Sequence, residues 1–339
     1  MTAHRSRRRL AAAQAALAAV VALTATACGG GSGSTSGASG ASGASGASGD
    51  ENSGAGSSAT RTVRTAMGEV KVPENPKRVV VLDTAELDSA ITLGVKPVGA
   101  TSAGTESGFL SYLTPQQTRG IENVGEIANP DLEAVAALEP DLILSNETRD
   151  ADRYDELSAI APTVLTETTG FPWKENFQVH AQALGKTAEA KKVTAAYDEH
   201  AARVTEALGG AEKAKETEVS MVRFVEGADI RLYANQTYIG TILKDIGVGR
   251  PAIADKDTFS VDVSPEQIDK ADGDAVFYAT YGDAKKAKES ETVGSSLWKD
   301  LDAVKKGNVF KVEDELWYQG IGYTAADKIL DGLKANLTG

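Results

Sequence analysis

The 339-residue sequence predicts an α/β protein of two lobes joined by one long helix. Three observations carry that prediction. Short β-branched runs alternate with helical segments, the pattern of sheets covered by helices. One long amphipathic helix, 187–208, interrupts the alternation near the middle of the chain. The segments on either side of it echo each other.

The N-terminus reads as an export signal. Arg5, Arg7, Arg8 and Arg9 form a positive region, and 10–23 is an alanine-rich apolar stretch of the usual length. The Ser6-Arg7-Arg8-Arg9-Leu10 run loosely resembles a twin-arginine signal, so Sec and twin-arginine export both stay open. Ala25, Thr26 and Ala27 precede Cys28, which resembles a bacterial lipobox with alanine where leucine is usual. Cys28 is then the lipidated first residue of the mature chain. A Gly/Ser-rich stretch follows and cannot repay the entropy of folding. Removing 1–27 takes away four arginines and no acids, moving the net charge from −13 to −17.

The folded part reads in order. Residues 79–82 form a buried strand, 83–93 a helix ended by Gly94, and 95–100 the next strand. A helix at 131–138 and a strand at 141–144 follow, and 161–165 closes the first lobe. The middle holds two helices, 173–184 broken at Gly185, and 187–208 with Thr187 as N-cap and Gly209 as its stop. Val193, Tyr197, Ala201, Val204 and Leu208 share one face of the second helix. The second lobe runs through a strand at 219–225, a helix ending near 246, a helix at 264–270, and strands at 274–278 and 309–312. A terminal helix spans 323–337. Both halves carry a helix with an early glutamate, Glu133 or Glu266, eight residues before the aspartate that opens a strand. A doubled lobe with a cleft between the copies is a binding architecture.

Composition narrows the function. A pI near 4.9 disfavours nucleic-acid binding, which needs basic surface. One cysteine forms neither an internal disulfide nor a thiolate zinc cluster. His180 and His200 are too far apart for a metal pair on one helix face, so no metal site is expected in the protein. The sequence has no G-x-S-x-G elbow, no H-E-x-x-H and no P-loop, and no cofactor is expected. A secreted hydrolase is the distant alternative, with His180 or His200 as its base.

Several motifs then resemble a known family. They are Pro76-Lys77-Arg78-Val79-Val80, Leu93-Gly94-Val95-Lys96-Pro97, Pro130-Asp131-Leu132-Glu133, and Leu138-Glu139-Pro140-Asp141 in the first half. In the second they are Ile246-Gly247-Val248, Val263-Ser264-Pro265-Glu266-Gln267 and 298–309. Over about residues 70–337 the chain resembles the substrate-binding lipoproteins of iron–siderophore ABC importers, a group that also includes haem- and cobalamin-binding members. The resemblance implies a class III periplasmic binding protein: two Rossmann-like lobes with mostly parallel central sheets, joined by one rigid helix that permits modest closure. The implied domains are a signal peptide at 1–27, lipidated cysteine and linker at 28–61, first lobe at 62–170, helical section at 171–210, second lobe at 211–320 and C-terminal helix at 321–339. The implied protein is a monomer, lipid-anchored outside the cytoplasmic membrane. It hands a ferric siderophore to a membrane permease and binds no nucleic acid. The iron is held by the siderophore.

The site residues follow. Glu133 and Glu266 occupy the motif positions where the resemblance implies permease docking; helix-dipole stabilisation of an acidic first turn is the other reading, both can hold together, and the duplicated spacing favours docking. Arg223, inside an apolar strand, needs a partner, either the ligand or an acid such as Glu226. Arg149 is its first-lobe counterpart. Strand ends in open α/β sheets face the crevice, and aromatic rings there can cover a bulky chelate. That makes Trp173, Tyr233, Trp317, Tyr238, Tyr281 and Tyr318 candidate ligand contacts. With only two basic groups identified, a hydroxamate siderophore is expected, with haem or cobalamin as the alternative cargo on the same fold.

Overall fold

The computed structural model describes residues 59–104 and 108–338, so the expected signal, Cys28 and most of the linker lie outside the described residues. A hairpin of β1 (Thr60–Thr65) and β2 (Gly68–Pro73) comes first. Its buried anchors are Val63 and Val72, and the Ala66 N–H donates to the Leu165 carbonyl at 2.9 Å. The linker therefore gives way to structure slightly before its expected end at 61.

The first lobe is a six-stranded sheet of β3 (Val79–Val81), β4 (Gly99–Ser102), β5 (Glu122–Glu126), β6 (Asn129–Pro130), β7 (Leu142–Asn146) and β8 (Thr163–Thr166), in the order β6-β5-β4-β3-β7-β8. All pairs are parallel except β5–β6. Val79–Val81 and Leu142, Ile143 and Leu144 are buried, the continuous apolar run expected of strands covered on both faces. The strand expected at 95–100 starts later, at Gly99. Val95 instead donates its N–H to Ala90 and closes the preceding helix (2.8 Å), and Pro97 has no N–H to give a ladder. Gly99 permits tight packing, because a Cβ there would lie 2.4 Å from Leu138 Cδ1.

The second lobe is a separate five-stranded sheet of β9 (Val219–Val225), β10 (Ile230–Tyr233), β11 (Ser260–Val263), β12 (Ala275–Tyr281) and β13 (Val309–Lys311), ordered β11-β10-β9-β12-β13. Strands β9, β12 and β13 are parallel, whereas β10 is antiparallel to β9 and β11 to β10. Here the two halves diverge. The antiparallel β10 takes the place beside β9 that parallel β4 holds beside β3. After the helix Tyr238–Asp245 a single parallel bridge, Glu218–Gly249, remains. The expected helix at 264–270 is a 3₁₀ turn, Pro265–Ala271, after Ser264, whose N–H meets Gln267 Oε1 at 3.5 Å.

Between the lobes run the helices Trp173–Leu184 and Thr187–Ala207. The second has 21 residues and spans about 31 Å. Its N-cap is Lys186, and Thr187 is its first helical residue. Tyr197, Ala201 and Val204 form its buried face, as expected, against the terminal helix Tyr323–Leu337. That helix is also tied to the first lobe. Asp88, fully buried in the helix Thr84–Thr92, accepts from Thr324 N (3.0 Å), Ala325 N (3.1 Å), Tyr112 OH (2.9 Å) and Thr92 Oγ1 (3.0 Å). Burial raises the pKa of Asp88 to about 6 against the pull of these donors. No helix among the described residues is long and apolar enough to cross a membrane.

Candidate ligand-binding cleft

The C-terminal edges of the two sheets carry the polar and aromatic groups that the core does not absorb. The loop after β4 reaches the segment after β13, where Ser111 N–H donates to Glu315 Oε2 at 2.7 Å. Ligands of open α/β sheets bind at such edges.

On the second lobe, Arg223 projects from β9 into a cluster. Its Nε and Nη2 donate to both Asp314 oxygens at 2.6 Å, and Nη1 donates to Tyr233 OH at 3.1 Å. Burial pulls the Arg223 pKa down, and Asp314 and Tyr233 more than offset this, holding the guanidinium charged. Tyr281 covers the guanidinium at 4.9 Å and Tyr318 at 5.4 Å. Tyr233 packs edge-on against Tyr318 (4.9 Å) and beside Phe259 (5.1 Å). Tyr318 donates its hydroxyl proton to the Val222 carbonyl at 2.9 Å. Tyr281 and Phe259 stay 49% and 52% exposed, apolar rings left facing solvent beside a cation. Arg223 does not pair with Glu226, which binds Lys286 Nζ (2.9 Å) and Asp283 N (2.9 Å) instead.

On the first lobe, Arg149 follows β7 and donates through Nε to Asp83 Oδ2 at 2.9 Å. Its terminal amino groups make no hydrogen bond among the described residues. Behind Asp83 lies a buried chain: Asn146 Nδ2 donates to Asp83 Oδ2 (3.1 Å) and Glu86 Oε1 (3.3 Å), and Glu86 faces His180 Nε2 at 3.6 Å. Burial, then the Asp83 charge, pushes Glu86 up to about 8, and burial lowers His180 to about 3. His180 Nδ1 also meets Ser89 Oγ at 2.9 Å. Ser, His and Glu here have the order of a hydrolytic triad, yet all three are at most 3% exposed, so no substrate reaches them. His200 lies on the strut helix against Asp327 and Asp331.

Of the expected ligand contacts, Arg223, Tyr233, Tyr281 and Tyr318 come together. Arg149 stands at the edge of the other sheet. Three turn inward instead. Trp173 is 2% exposed, donates its indole N–H to Thr241 Oγ1 (2.7 Å), and packs edge-on against Tyr197, Tyr238 and Tyr323. Tyr238 gives its hydroxyl proton to the Gly322 carbonyl (2.6 Å). Trp317 stacks on Phe277 at 5.1 Å. These rings pack inward among the helices and the second sheet. Trp173 also stands at the wall of a separate groove of about 850 Å³ that contains none of Arg149, Arg223 or Tyr281. Sequence reasoning missed Phe259 and Asp314.

Glu133 and Glu266 are both exposed, each in the first turn of the segment that leads into β7 or β12. Asp131 caps the first, accepting from Glu133 N and Ala134 N at 3.0 Å each. Among the described residues no group of three or more His, Cys, Asp or Glu could hold a metal ion.

Residues 79–316 match the family model described as periplasmic binding protein. The chain is 40% identical to the probable siderophore-binding lipoprotein YfiY of Bacillus subtilis, over 84% of this chain and 89% of that protein. It is 31% identical to the Fe(3+)-citrate-binding protein YfmC of the same organism, over 80% and 85%. Among solved structures it matches Staphylococcus aureus SirA complexed with staphyloferrin B, with a TM-score of 0.74 and 33% identity, covering 82% of this chain and 98% of SirA.

Proposed function

The chain belongs to the periplasmic binding protein family, a family of solute-binding proteins and not of enzymes, and on that premise we propose that it captures a ferric siderophore and delivers it to an ABC importer. The carrying observation is the cleft chemistry. A bulky chelate offers a partly apolar shell with polar edges. Opposite it stand two exposed rings, Tyr281 and Phe259, and a guanidinium, Arg149, whose terminal amino groups make no hydrogen bond among the described residues. The iron arrives with its own ligands, which suits a protein without a cluster of metal-binding side chains among the described residues. The names of the relatives support the same reading.

Glu133 and Glu266 are the proposed docking carboxylates for the permease, one exposed on each lobe. Cys28 is the proposed lipid attachment point, holding a monomeric receptor at the outer face of the cytoplasmic membrane.

Isothermal titration of the chain with ferric siderophores, haemin and cobalamin tests the cargo. One-to-one binding of a ferric siderophore, weakened by Tyr281→Ala, is the expected result. Saturable binding of haemin or cobalamin alone would reject the reading.

A further inference from the structure

The terminal helix Tyr323–Leu337 has no cap of its own, because the residue before it is Gly322. The first N–H groups of a helix lack intrahelical partners. Two of them, Thr324 N and Ala325 N, instead donate to Asp88 on the first lobe, 236 positions before Thr324 (3.0 and 3.1 Å). Asp88 is fully buried, and its other partners, Tyr112 OH and Thr92 Oγ1, are also hydroxyl donors; no basic side chain bonds it among the described residues. Burying a carboxylate without a cation is costly. A polar side chain at the N-cap would serve the helix without that cost, so what Asp88 adds is a link between lobes. The second lobe grips the same turn from the other side, where Tyr238 OH donates to the Gly322 carbonyl at 2.6 Å. Just upstream, the same stretch of chain carries Asp314, bidentate to Arg223, and Tyr318, packed on Tyr233. Residues 314–322 therefore join the ring-lined edge of the second lobe to the Asp88 anchor in the first.

Resting on the siderophore reading above, we propose that Asp88 is a positioning residue for ligand binding: without touching the ligand, it fixes the spacing of the two cleft edges through the Gly322 turn, which Tyr238 holds from the second lobe. Loosening that turn lets the edges take other spacings. Only the fraction of molecules with the binding-competent spacing takes up ligand, and the apparent affinity falls by that fraction. Two residues on different lobes that hold one turn must also act together, so their effects on affinity are coupled.

The test is a double-mutant cycle on the full chain, titrated with ferrichrome, a hydroxamate chelate, and in parallel with ferric citrate, with amide exchange measured on the ligand-free protein. Asp88→Asn is expected to weaken binding by about 10-fold and Tyr238→Phe by about 3-fold. The double variant should bind about as weakly as Asp88→Asn alone, short of the product of the two losses. Without ligand, Tyr238→Phe should speed exchange at the Thr324 and Ala325 amides, although its hydroxyl bonds neither. Should Asp88→Asn fail to fold, Tyr112→Phe, which removes one bond to Asp88, takes its place in the cycle with an expected loss of about 3-fold. Undiminished affinity in a folded Asp88→Asn with a lowered thermal midpoint would make Asp88 structural only and overturn the proposal, as would losses that multiply in the double variant. Binding of neither chelate by the wild-type chain would count against the siderophore reading; unchanged exchange at Thr324 and Ala325 in Tyr238→Phe would still overturn the two-sided hold by itself.

Discussion

Each lobe places an arginine at the C-terminal edge of its sheet, and the two are held in opposite ways. Arg223 on the second lobe is buried, bidentate to Asp314 and covered by tyrosines. Arg149 on the first lobe touches Asp83 through one nitrogen, with about a third of its side chain exposed. The first has its charge spent inside the protein; the terminal amino groups of the second make no hydrogen bond among the described residues. A cation inside an apolar strand thus signals an internal partner more strongly than a ligand.

Substitutions break or sharpen this contrast. Arg223→Ala should have the largest effect, because it strands Asp314 with its side chain 11% exposed. Losing one partner of a buried pair costs about 3–5 kcal/mol, read as a lowered midpoint in chemical denaturation. Gly322→Ala comes next. A Cβ there would lie 2.2 Å from Asp88 Oδ1 at a φ of +143°, breaking the link between the first lobe and the terminal helix. The expected loss is about 1–3 kcal/mol, with the amides of Thr324 and Ala325 exchanging faster.

Glu86 gives a smaller effect that depends on pH. Its folded pKa, about 8, lies above the unfolded value of 4.5, so the native state binds the extra proton and stability falls as pH rises from about 4.5 to 8. Asp88 adds a decline of the same sign between 3.8 and about 6. His180, lowered to about 3, opposes both up to its ordinary 6.5. Above pH 6.5 the Glu86 slope stands alone of the three. Glu86→Gln should flatten that slope in denaturation midpoints measured between pH 6.5 and 8, and should be at least as stable as the wild type at pH 8. Arg149→Ala should cost about 1–3 kcal/mol, because it removes the cation beside buried Asp83, which keeps only its bonds from Thr84 N and Asn146 Nδ2, and it should weaken ligand binding. Smallest in stability is Glu133→Ala with Glu266→Ala. Both are exposed, and the change should stay within about 0.5 kcal/mol, leave affinity intact and abolish uptake by cells.

The lobes also differ in how far they could be read from sequence. Regular elements with a strong period were legible: Trp173–Leu184, Val219–Val225 and Tyr323–Leu337 fall where the sequence analysis places them. The four-residue strands Ile230–Tyr233 and Ser260–Val263 escaped, because neither is long enough to show its alternation against the flanking loops. The hairpin Thr60–Pro73 escaped for another reason: it buries little beyond Val63 and Val72. For Trp173 and Trp317, a place in or beside a loop does not say which way a ring turns. Both turn inward, Trp173 onto Tyr197 and Tyr323, Trp317 onto Phe277 and the close approach of Gly332.

We propose that a preformed ferric chelate sits between Arg149 on the first lobe and the ring-lined edge of the second. Native mass spectrometry of the chain purified with its cargo under iron limitation, beside the Arg149→Ala/Tyr281→Ala variant, tests it most directly. The account predicts one ferric chelate per wild-type chain and none on a variant that remains folded. Haem on the wild-type chain, or a chelate retained undiminished by the variant, would contradict it.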